Sequence, residues 1–212
     1  KLLSGQVVLH PVTVPEGLTI NQVADVASQQ GLTDREEFIR LARDREFIRS
    51  LGIKAETLEG YLYPDTYKFP RPIKARELLV AMVEQLKQVV GPDLLARMEE
   101  LKMTIHEVLT LASVIEKETG AGSERPEISA VFHNRLKKHI PLQSDPTVIY
   151  GLPSFDGNLR KKDLSSPSPY NTYRVQGLPP GPIANPGIQA IRATLYPSDS
   201  RSLYFVSRND GT

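Results

Sequence analysis

One segment, Leu109 to Gly120 (LTLASVIEKETG), restricts the possible folds of this chain more than any other. It predicts the last turns of a helix that begins near Thr104, and Gly120 is a natural stop signal. At 100° per residue, one arc of this helix carries five apolar side chains: Ile105, Val108, Leu109, Ala112 and Ile115. Glu116 falls inside the same arc. The helix therefore turns a carboxylate toward the side that must pack against the rest of the protein.

A carboxylate in that position has two interpretations. Burial raises its pKa, and a carboxyl group that stays protonated near neutral pH suits general acid catalysis. The alternative is a structural ion pair with an Arg or Lys elsewhere in the fold. Glu118 points about 160° away from Glu116 by the same geometry, so it is predicted to matter less. Polar residues occupy the side opposite the apolar arc: His106, Thr110, Ser113 and Lys117.

Composition excludes several classes of protein. The chain of 212 residues is long enough to bury a core, and its 26 basic and 25 acidic residues leave a net charge of +1, which argues against a nucleic-acid surface built on gross charge. The absence of cysteine excludes disulfides and thiolate zinc sites. No pair of histidines has metal-binding helical spacing, and no phosphate-binding loop or nucleophile elbow occurs. We therefore predict neither a cofactor nor a metal.

The apolar periodicity predicts an α+β protein. Thr19 caps a helix that runs to about Gln30, and Thr33 opens the next helix with a capping box to Glu36. Further helices are predicted over residues 44–50, 72–90, 92–101, 124–138 and 188–195. Strands are predicted over residues 6–14, interrupted by Pro11 and therefore at an edge, and over residues 203–206. Asp145 is predicted as the N-cap of a helix over Pro146 to Tyr150.

Two stretches have open interpretations. The aromatic-rich residues 60–69 (GYLYPDTYKF) predict an extended segment that either packs on the core or offers its rings to a sugar. Residues 153–187 are rich in proline and glycine, which is typical of a linker, but they also contain aromatic and amide side chains. Because long ordered loops in compact domains are often functional, we predict that this loop walls a cleft.

Several collinear motifs resemble the YceG-like endolytic murein transglycosylases. The central motif is ASVIEKET, residues 112–119, and VFHNRL (131–136) and LQSDPTVIYG (142–151) follow it in the family's order. The similarity continues through YNTY (170–173), GLPPGPI (177–183) and LYFV (203–206). Upstream, LEGYLYPDTY (58–67) also fits. The match covers most of the chain.

The resemblance implies a function and an organisation. Family members cleave the β-1,4 bond between N-acetylmuramic acid and N-acetylglucosamine within peptidoglycan strands and leave 1,6-anhydro ends. They carry a membrane anchor and act on the periplasmic side of the inner membrane, beside the cell-wall synthases. Residues 1–70 would then be a LysM-like module and residues 71–212 the catalytic domain, with the anchor and the C-terminal end outside this sequence.

The resemblance also implies site residues. It makes Glu116 the catalytic acid, and no nucleic acid or cofactor takes part. A wider set is expected to contact the glycan: Ser113, Glu118, Gln143, Asp145, Thr147, Tyr150, Asn171, Tyr173, Gly177, Leu178, Pro179 and Pro180.

Two rival functions stay open. The first is a hydrolase that uses Glu116 together with a second carboxylate: Asp145, Glu118 or Glu124. The second is a peptidoglycan-binding scaffold without catalysis, in which Glu116 is a structural ion pair. A lytic transglycosylase needs one carboxyl group, whereas most glycoside hydrolases need two.

Overall fold

The computed structural model describes residues 8–70 and 73–206, and these residues form an α+β fold with one small sheet. The sheet consists of β1 (His10–Thr13) and β2 (Thr66–Phe69). The helices between and after the strands are α1 (Ile20–Gln29), α2 (Arg35–Ala42), α3 (Arg45–Ser50), α4 (Ala75–Val89), α5 (Pro92–Leu101), α6 (Ile105–Glu118), α7 (Arg125–Lys137), α8 (Asp145–Gly151) and α9 (Ile188–Leu195). Most predicted helices are confirmed to within two or three residues.

The sheet is a single antiparallel pair, in which Val12 lies opposite Tyr67. Each strand is an edge strand, which agrees with the prediction from Pro11. Of the predicted strand over residues 6–14, residues 6 and 7 lie outside the described part of the chain. The strand order is β1, three helices, then β2, so the sheet closes the N-terminal third of the chain on itself.

The aromatic stretch 60–69 is only partly a strand. Residues 60–65 form turns before β2 begins, and Tyr61, Tyr63 and Tyr67 are all buried. The core-packing interpretation is therefore the one observed, and the predicted continuous extended segment is wrong. Gly60 has φ +82°, and a Cβ on it would lie 2.4 Å from Pro182. A glycine is required because another part of the chain crosses directly over this turn.

Local hydrogen bonds explain where the helices begin. Thr19 and Gln22 form a capping box on α1, and Thr104 and Glu107 form another on α6. The capping box predicted from Thr33 is wrong, because Asp34 is the N-cap of α2 and accepts a hydrogen bond from the amide of Glu37. An ionised Asp is at least as good a cap as Thr, and it also complements the positive end of the helix dipole.

Helix α6 is the centre of the molecule. Every residue from Val108 to Ile115 is buried, so the helix is covered on all sides. One core cluster joins the start of α6 to α1, α2, α4 and α9, and it includes side chains from both sides of residue 70. A second, smaller cluster packs the other flank of α6 against α7 and the residues Leu142 and Ile183. The predicted arc thus describes only part of what α6 buries.

The side of α6 that carries His106, Ser113 and Glu116 is covered by residues 180–187 of the Pro-rich loop, which we call the strap. The carbonyl of Pro180 is 2.9 Å from His106 Nε2, the amide of Ile183 donates to Ser113 Oγ (2.9 Å), and the amide of Gly187 donates to Glu116 Oε2 (3.0 Å). The strap therefore follows α6 from its first turn almost to its last. Proline keeps this segment extended, and side chains of α6 supply the partners that a helix or sheet would otherwise provide.

The predicted strand over residues 203–206 is wrong. These residues are irregular, and the described part of the sheet offers them no edge. Arg135 Nε donates to the carbonyl of Leu203 (2.7 Å), and the ring of Phe205 packs edge-on against Phe132 with centroids 5.8 Å apart. Side-chain contacts with α7 therefore replace a backbone ladder.

A buried carboxyl group connects residues 8–70, which we call the N-terminal segment, to the rest of the fold. Glu59 is only 5% exposed, and it accepts hydrogen bonds from the amide of Ile20 (2.9 Å), from Asn185 Nδ2 (3.2 Å) and from the hydroxyl of Tyr150 (3.2 Å). Burial raises the pKa of Glu59 to about 7, while the hydrogen bonds oppose that rise. The three donors belong to α1, the strap and α8.

Glu59→Gln should therefore make stability less dependent on pH. The folded pKa lies above the ordinary value of 4.5, so the stability that Glu59 contributes is present at low pH and is lost as the pH rises through about 7. Between pH 5 and pH 8, the wild type should lose up to about 3 kcal/mol relative to the variant. Urea unfolding at both pH values measures this, with the exposed Glu84→Gln as control. An equal pH dependence in wild type and variant would contradict it.

Candidate active site

The last turn of α6 presents Glu118 to the start of α8. Ser144 Oγ donates a short hydrogen bond to Glu118 Oε1, and Asp145 follows Ser144 in the chain. Glu118 is half-buried, and within the described residues its Oε2 has no hydrogen-bond partner. Burial raises the pKa of Glu118; the hydrogen bond from Ser144 opposes the rise, and the negative charge of Asp145 adds to it. One oxygen of a carboxyl group with a raised pKa is thus available to a ligand.

Hydrogen bonds hold the start of α8 against residues 171–173. The amide of Gln143 donates to the carbonyl of Thr172 (3.0 Å), and the amide of Ser144 donates to Thr172 Oγ1 (3.0 Å). The hydroxyls of Thr147 and Thr172 are 2.8 Å apart, and both side chains are fully buried. Two segments that are 25 or more residues apart in the chain are therefore held together beside Glu118.

The residue before Ser144, Gln143, has a strained backbone that the buried cation of Arg135 holds in place. Gln143 has φ +51°, a left-handed conformation that costs a non-glycine residue free energy. Arg135, which is 6% exposed, donates from Nη1 to the carbonyl of Leu142 (2.7 Å) and holds this backbone in place. Strained positions of this kind often occur beside functional groups.

The prediction that Asp145 caps α8 is wrong. Ser144 occupies the N-cap position, Asp145 is the first residue of the helix, and no side chain caps α8. The carboxylate of Asp145 instead accepts a hydrogen bond from the hydroxyl of Tyr173 (2.6 Å). Its charge is therefore not neutralised by backbone amides and remains close to Glu118.

Glu116 has a different environment from Glu118. Its Oε1 pairs with Arg125 Nη2 at 2.6 Å and its Oε2 accepts from the amide of Gly187, while its side chain is 6% exposed. Burial raises the pKa of Glu116, whereas the amide of Gly187 and the charge of Arg125 lower it. Both oxygens already have protein partners. The ion-pair alternative from the sequence thus describes the contacts of Glu116.

The surroundings of this ion pair are crowded. Glu16, in the turn before α1, lies 3.9 Å from Arg125 Nη2, and a Cβ on Gly187 would overlap with Glu16 at 1.8 Å. Lys117 Nζ donates to the carbonyl of Gly17 (3.3 Å). A Cβ on Gly17 would lie 3.6 Å from Glu116 Cγ, so the turn at residues 16–17 covers Glu116 and leaves no room for a sugar between them.

Three predicted glycan contacts are interior residues. Ser113, Thr147 and Asn171 are all 0% exposed. Asn171 donates both amide hydrogens to loop carbonyls, those of Leu164 (3.0 Å) and Ser166 (2.8 Å), and its oxygen accepts from the amide of Tyr173 (3.0 Å). These side chains hold the loop and the strap rather than face a ligand. A Pro-rich segment without regular structure needs polar side chains as partners for its backbone groups. The residue type alone therefore does not distinguish a side chain that supports the loop from one that contacts a sugar.

Of the predicted residues Gly177, Leu178, Pro179 and Pro180, the last three lie beside the first turn of α6, far from its end. Pro180 contacts His106, and Leu178 and Pro179 line a cavity with Met103 and Glu107. His106 and Glu118 are 12 positions apart, which corresponds to about 18 Å along a helix. Of the predicted set, the structure therefore brings together Glu118, Gln143, Asp145 and Tyr173, and Tyr150 lies at the other end of α8.

Sequence reasoning missed the residues that support this site. Ser144 is the hydrogen-bond donor to Glu118, and Thr172, Arg135 and Asn185 hold the surrounding backbone. The buried arginines had a possible signal, because at 100° per residue Arg125 and Arg135 fall on the same arc of α7 as Ile128 and Phe132. Within residues 8–70 and 73–206, no group of acidic and histidine side chains could hold a metal ion. No helix in this part is long and apolar enough to cross a membrane.

Comparison with known proteins identifies the family. The profile of the YceG-like family matches residues 1–212. The chain belongs to the YceG-like family. A crystal structure of a yceG-like protein from Listeria monocytogenes superimposes with a TM-score of 0.86 and 36% sequence identity, covering 94% of this chain and 71% of that one.

Curated relatives of this YceG-like chain carry the name endolytic murein transglycosylase. The protein of Bacillus subtilis (strain 168) is 37% identical over 216 residues, and that of Streptococcus pneumoniae (strain D39) is 31% identical over 226 residues. Each alignment covers 94% of this chain but only 59% and 41%, respectively, of the relative. The YceG-like chain thus spans about half the length of these relatives.

The contacts of Glu116 predict a stability effect. Glu116→Gln leaves Arg125 buried without its closest anion, and breaking one side of a buried pair costs roughly 3–5 kcal/mol. Glu118→Gln, which breaks no ion pair in the described chain, should cost much less. Urea unfolding of both variants measures the difference. Equal stability of the two would mean that the Glu116–Arg125 pair contributes little.

Proposed function

We propose that this YceG-like chain is the catalytic part of an endolytic murein transglycosylase, which cleaves the MurNAc–GlcNAc bond within glycan strands and leaves 1,6-anhydro ends. Two curated relatives with that name, similar across 94% of the chain, support the assignment. The observation that carries it is the half-buried carboxyl group of Glu118, which has one hydrogen-bonded and one free oxygen. That is the group a single-carboxyl mechanism needs.

We assign the general acid to Glu118 in place of Glu116. A general acid must reach the oxygen that it protonates, and both oxygens of Glu116 are occupied by Arg125 and Gly187 beneath the turn at residues 16–17. Glu118 has a free oxygen and a raised pKa, and it has no cation as a direct partner in the described chain. Glu116 then has a structural role, because it holds the end of the strap against α6.

The reaction follows from one carboxyl group used twice. Protonated Glu118 gives its proton to the glycosidic oxygen as the bond to C1 of the muramic residue breaks, and the released strand carries that proton as a hydroxyl. The carboxylate then removes the proton from the C6 hydroxyl of the same sugar, whose oxygen bonds to C1. Atoms and charge balance, no water is consumed, and Glu118 ends protonated. Ser144 keeps the carboxyl group oriented in both steps.

Asp145 has a supporting role in this mechanism. Its carboxylate is held by the hydroxyl of Tyr173 and raises the pKa of Glu118 through its charge. A hydrolase would instead require Asp145 to activate water or to attack the sugar as a nucleophile. The hydrogen bond of 2.6 Å from Tyr173 holds the carboxylate of Asp145 beside Glu118, where its negative charge acts on the acid.

The surroundings of the enzyme are proposed from the resemblance. Peptidoglycan strands are the substrate, cell-wall synthases are partners, and the catalytic part works in the periplasm beside an inner-membrane anchor. We further propose that residues 1–70 form a LysM-like module and residues 71–212 the catalytic domain. The order β1, α1, α2, α3, β2, with its antiparallel strand pair, supports a LysM-like arrangement.

Two matched substitutions test the acid. Glu118→Gln should fold normally and reduce cleavage of purified peptidoglycan by at least about 10²–10⁴-fold, because an amide cannot supply the proton. Glu116→Gln, assayed where it is fully folded, should retain cleavage within about tenfold of the wild type. If Glu118→Gln keeps its activity and folded Glu116→Gln has none, then Glu116 is the general acid and the assignment to Glu118 is wrong. No turnover by the wild type would favour the scaffold.

Product analysis separates the transglycosylase from the hydrolase. Mass spectrometry of the released fragments should find 1,6-anhydro ends, each lighter by one water than the hydrolytic product. Ordinary reducing ends made by the wild type, together with their complete loss in Asp145→Asn, would establish the two-carboxylate hydrolase.

Asp145→Asn should also shift the pH profile. The negative charge of Asp145 raises the pKa of Glu118, so its removal lowers that pKa and deprotonates the acid at lower pH. The alkaline limb of kcat/KM should therefore move to lower pH, while Asn still accepts from Tyr173. An unmoved alkaline limb would mean that Asp145 does not tune Glu118.

A further inference from the structure

A cavity of about 530 Å³ lies at the opposite end of α8 from Glu118. One wall comes from α3 and the residues that follow it, and the other from Tyr170 and the start of the strap. His106 and Glu59 also line it. This volume lies within the range of small-ligand sites in proteins. The proposed mechanism uses none of these residues.

The acidic and imidazole groups of this cavity already have partners. Glu56 pairs with Arg45, and Glu59 accepts three hydrogen bonds. His106 Nε2 faces the carbonyl of Pro180 at 2.9 Å, so this nitrogen carries the proton, and Nδ1 is 2.9 Å from the hydroxyl of Tyr61. These groups therefore offer little to a ligand.

The remaining polar groups of the lining can all donate hydrogen bonds. Arg49 and Lys54 are exposed side chains on one wall, and no carboxylate of the described chain lies within 4 Å of either. Within the same residues, the hydroxyl of Tyr170 on the facing wall has no hydrogen-bond partner. Two cations and a phenol around one cavity match a ligand that carries carboxylates.

The cavity is joined to the site of cleavage by α8. Tyr150 of that helix donates to Glu59 and packs against Tyr170 with ring centroids 4.8 Å apart, and Asp145 at the other end lies beside Glu118. His106 is about 18 Å from Glu118 along α6. A ligand part in the cavity would therefore belong to the substrate at a distance from the cleaved bond.

We propose that this cavity binds the peptide stem of a muramic residue remote from the cleaved bond, through Arg49, Lys54 and Tyr170. Stem peptides carry free carboxylates, whereas the uncharged sugar hydroxyls and acetamides do not. This inference rests on the proposed function and adds to it, because it gives the enzyme a specificity for strands that carry stem peptides. Both cations lie before residue 70, so the N-terminal segment would supply specificity to the carboxyl group on α6.

A binding experiment tests the proposal without catalysis. The probe is the synthetic tetrapeptide L-Ala-γ-D-Glu-L-Lys-D-Ala, titrated calorimetrically into the wild-type chain. The double substitution Arg49→Gln with Lys54→Gln should weaken its binding at least about tenfold, since two charge-assisted contacts are lost. Lys161→Gln with Lys162→Gln removes the same charge from an exposed loop and should leave binding unchanged.

Three outcomes of this titration would overturn the proposal. They are an equal affinity for the tetrapeptide with amidated carboxylates, an equal affinity for inorganic phosphate, and no effect of the double substitution. All proteins should melt at the same temperature, because the substituted side chains are exposed.

A cleavage assay then separates this inference from the proposed function. The Arg49/Lys54 variant should cleave stem-bearing strands at least about fivefold more slowly and should cleave amidase-treated, stem-free strands at the wild-type rate. Equal loss on both substrates would contradict stem recognition while leaving the transglycosylase intact. Tetrapeptide binding that depends on the two cations, in a protein that cleaves no strand, would refute the enzyme but not the peptide site.

Discussion

Complete burial of α6 is the constraint on which the rest of the structure depends. A helix covered on all sides needs partners for its polar side chains as well as for its apolar ones, because an unpaired polar group in the interior costs free energy. The strap meets this need along the line from His106 through Ser113 to Glu116. The Pro-rich loop is thus part of the core, and its lack of regular structure allows its amides to bond to α6.

The two glutamates of the EKE sequence, Glu116 and Glu118, have different environments because of this burial. Two residues apart, they leave α6 in nearly opposite directions, and each meets a different part of the fold. Glu116 meets Arg125, the strap and the turn at residues 16–17, so it stabilises the fold. Glu118 contacts Ser144 and lies near the charge of Asp145, and within the described residues one of its oxygens has no partner. Burial raises the pKa of both, and the contacts of their oxygens distinguish them.

The N-terminal segment is integrated with the rest of the molecule. Glu59 and Asn185 connect α1, the strap and α8 through buried hydrogen bonds, and one core cluster continues across residue 70. The cavity beside Glu59 has walls from both parts of the chain. The carboxyl group of Glu59 bonds to α1 as well as to the strap and α8, so it fixes the N-terminal segment relative to Glu118. The proposed binding of stem peptides by that segment is compatible with this fixed position.

The sequence by itself determined most helices, the edge character of β1 and the presence of a carboxylate inside the apolar arc of α6, because these depend on local periodicity, capping and proline geometry. It also carried the motifs of the family. Tertiary structure decided which carboxylate is free: the choice between Glu116 and Glu118 depends on Arg125, Gly187 and Ser144, which lie 9, 71 and 26 residues away from their partners. Likewise, Asn171 and Ser113 are polar in sequence, but only packing makes them supports of a loop rather than ligands of a sugar. Helical geometry sets the direction of a side chain, whereas the environment it meets comes from distant parts of the chain.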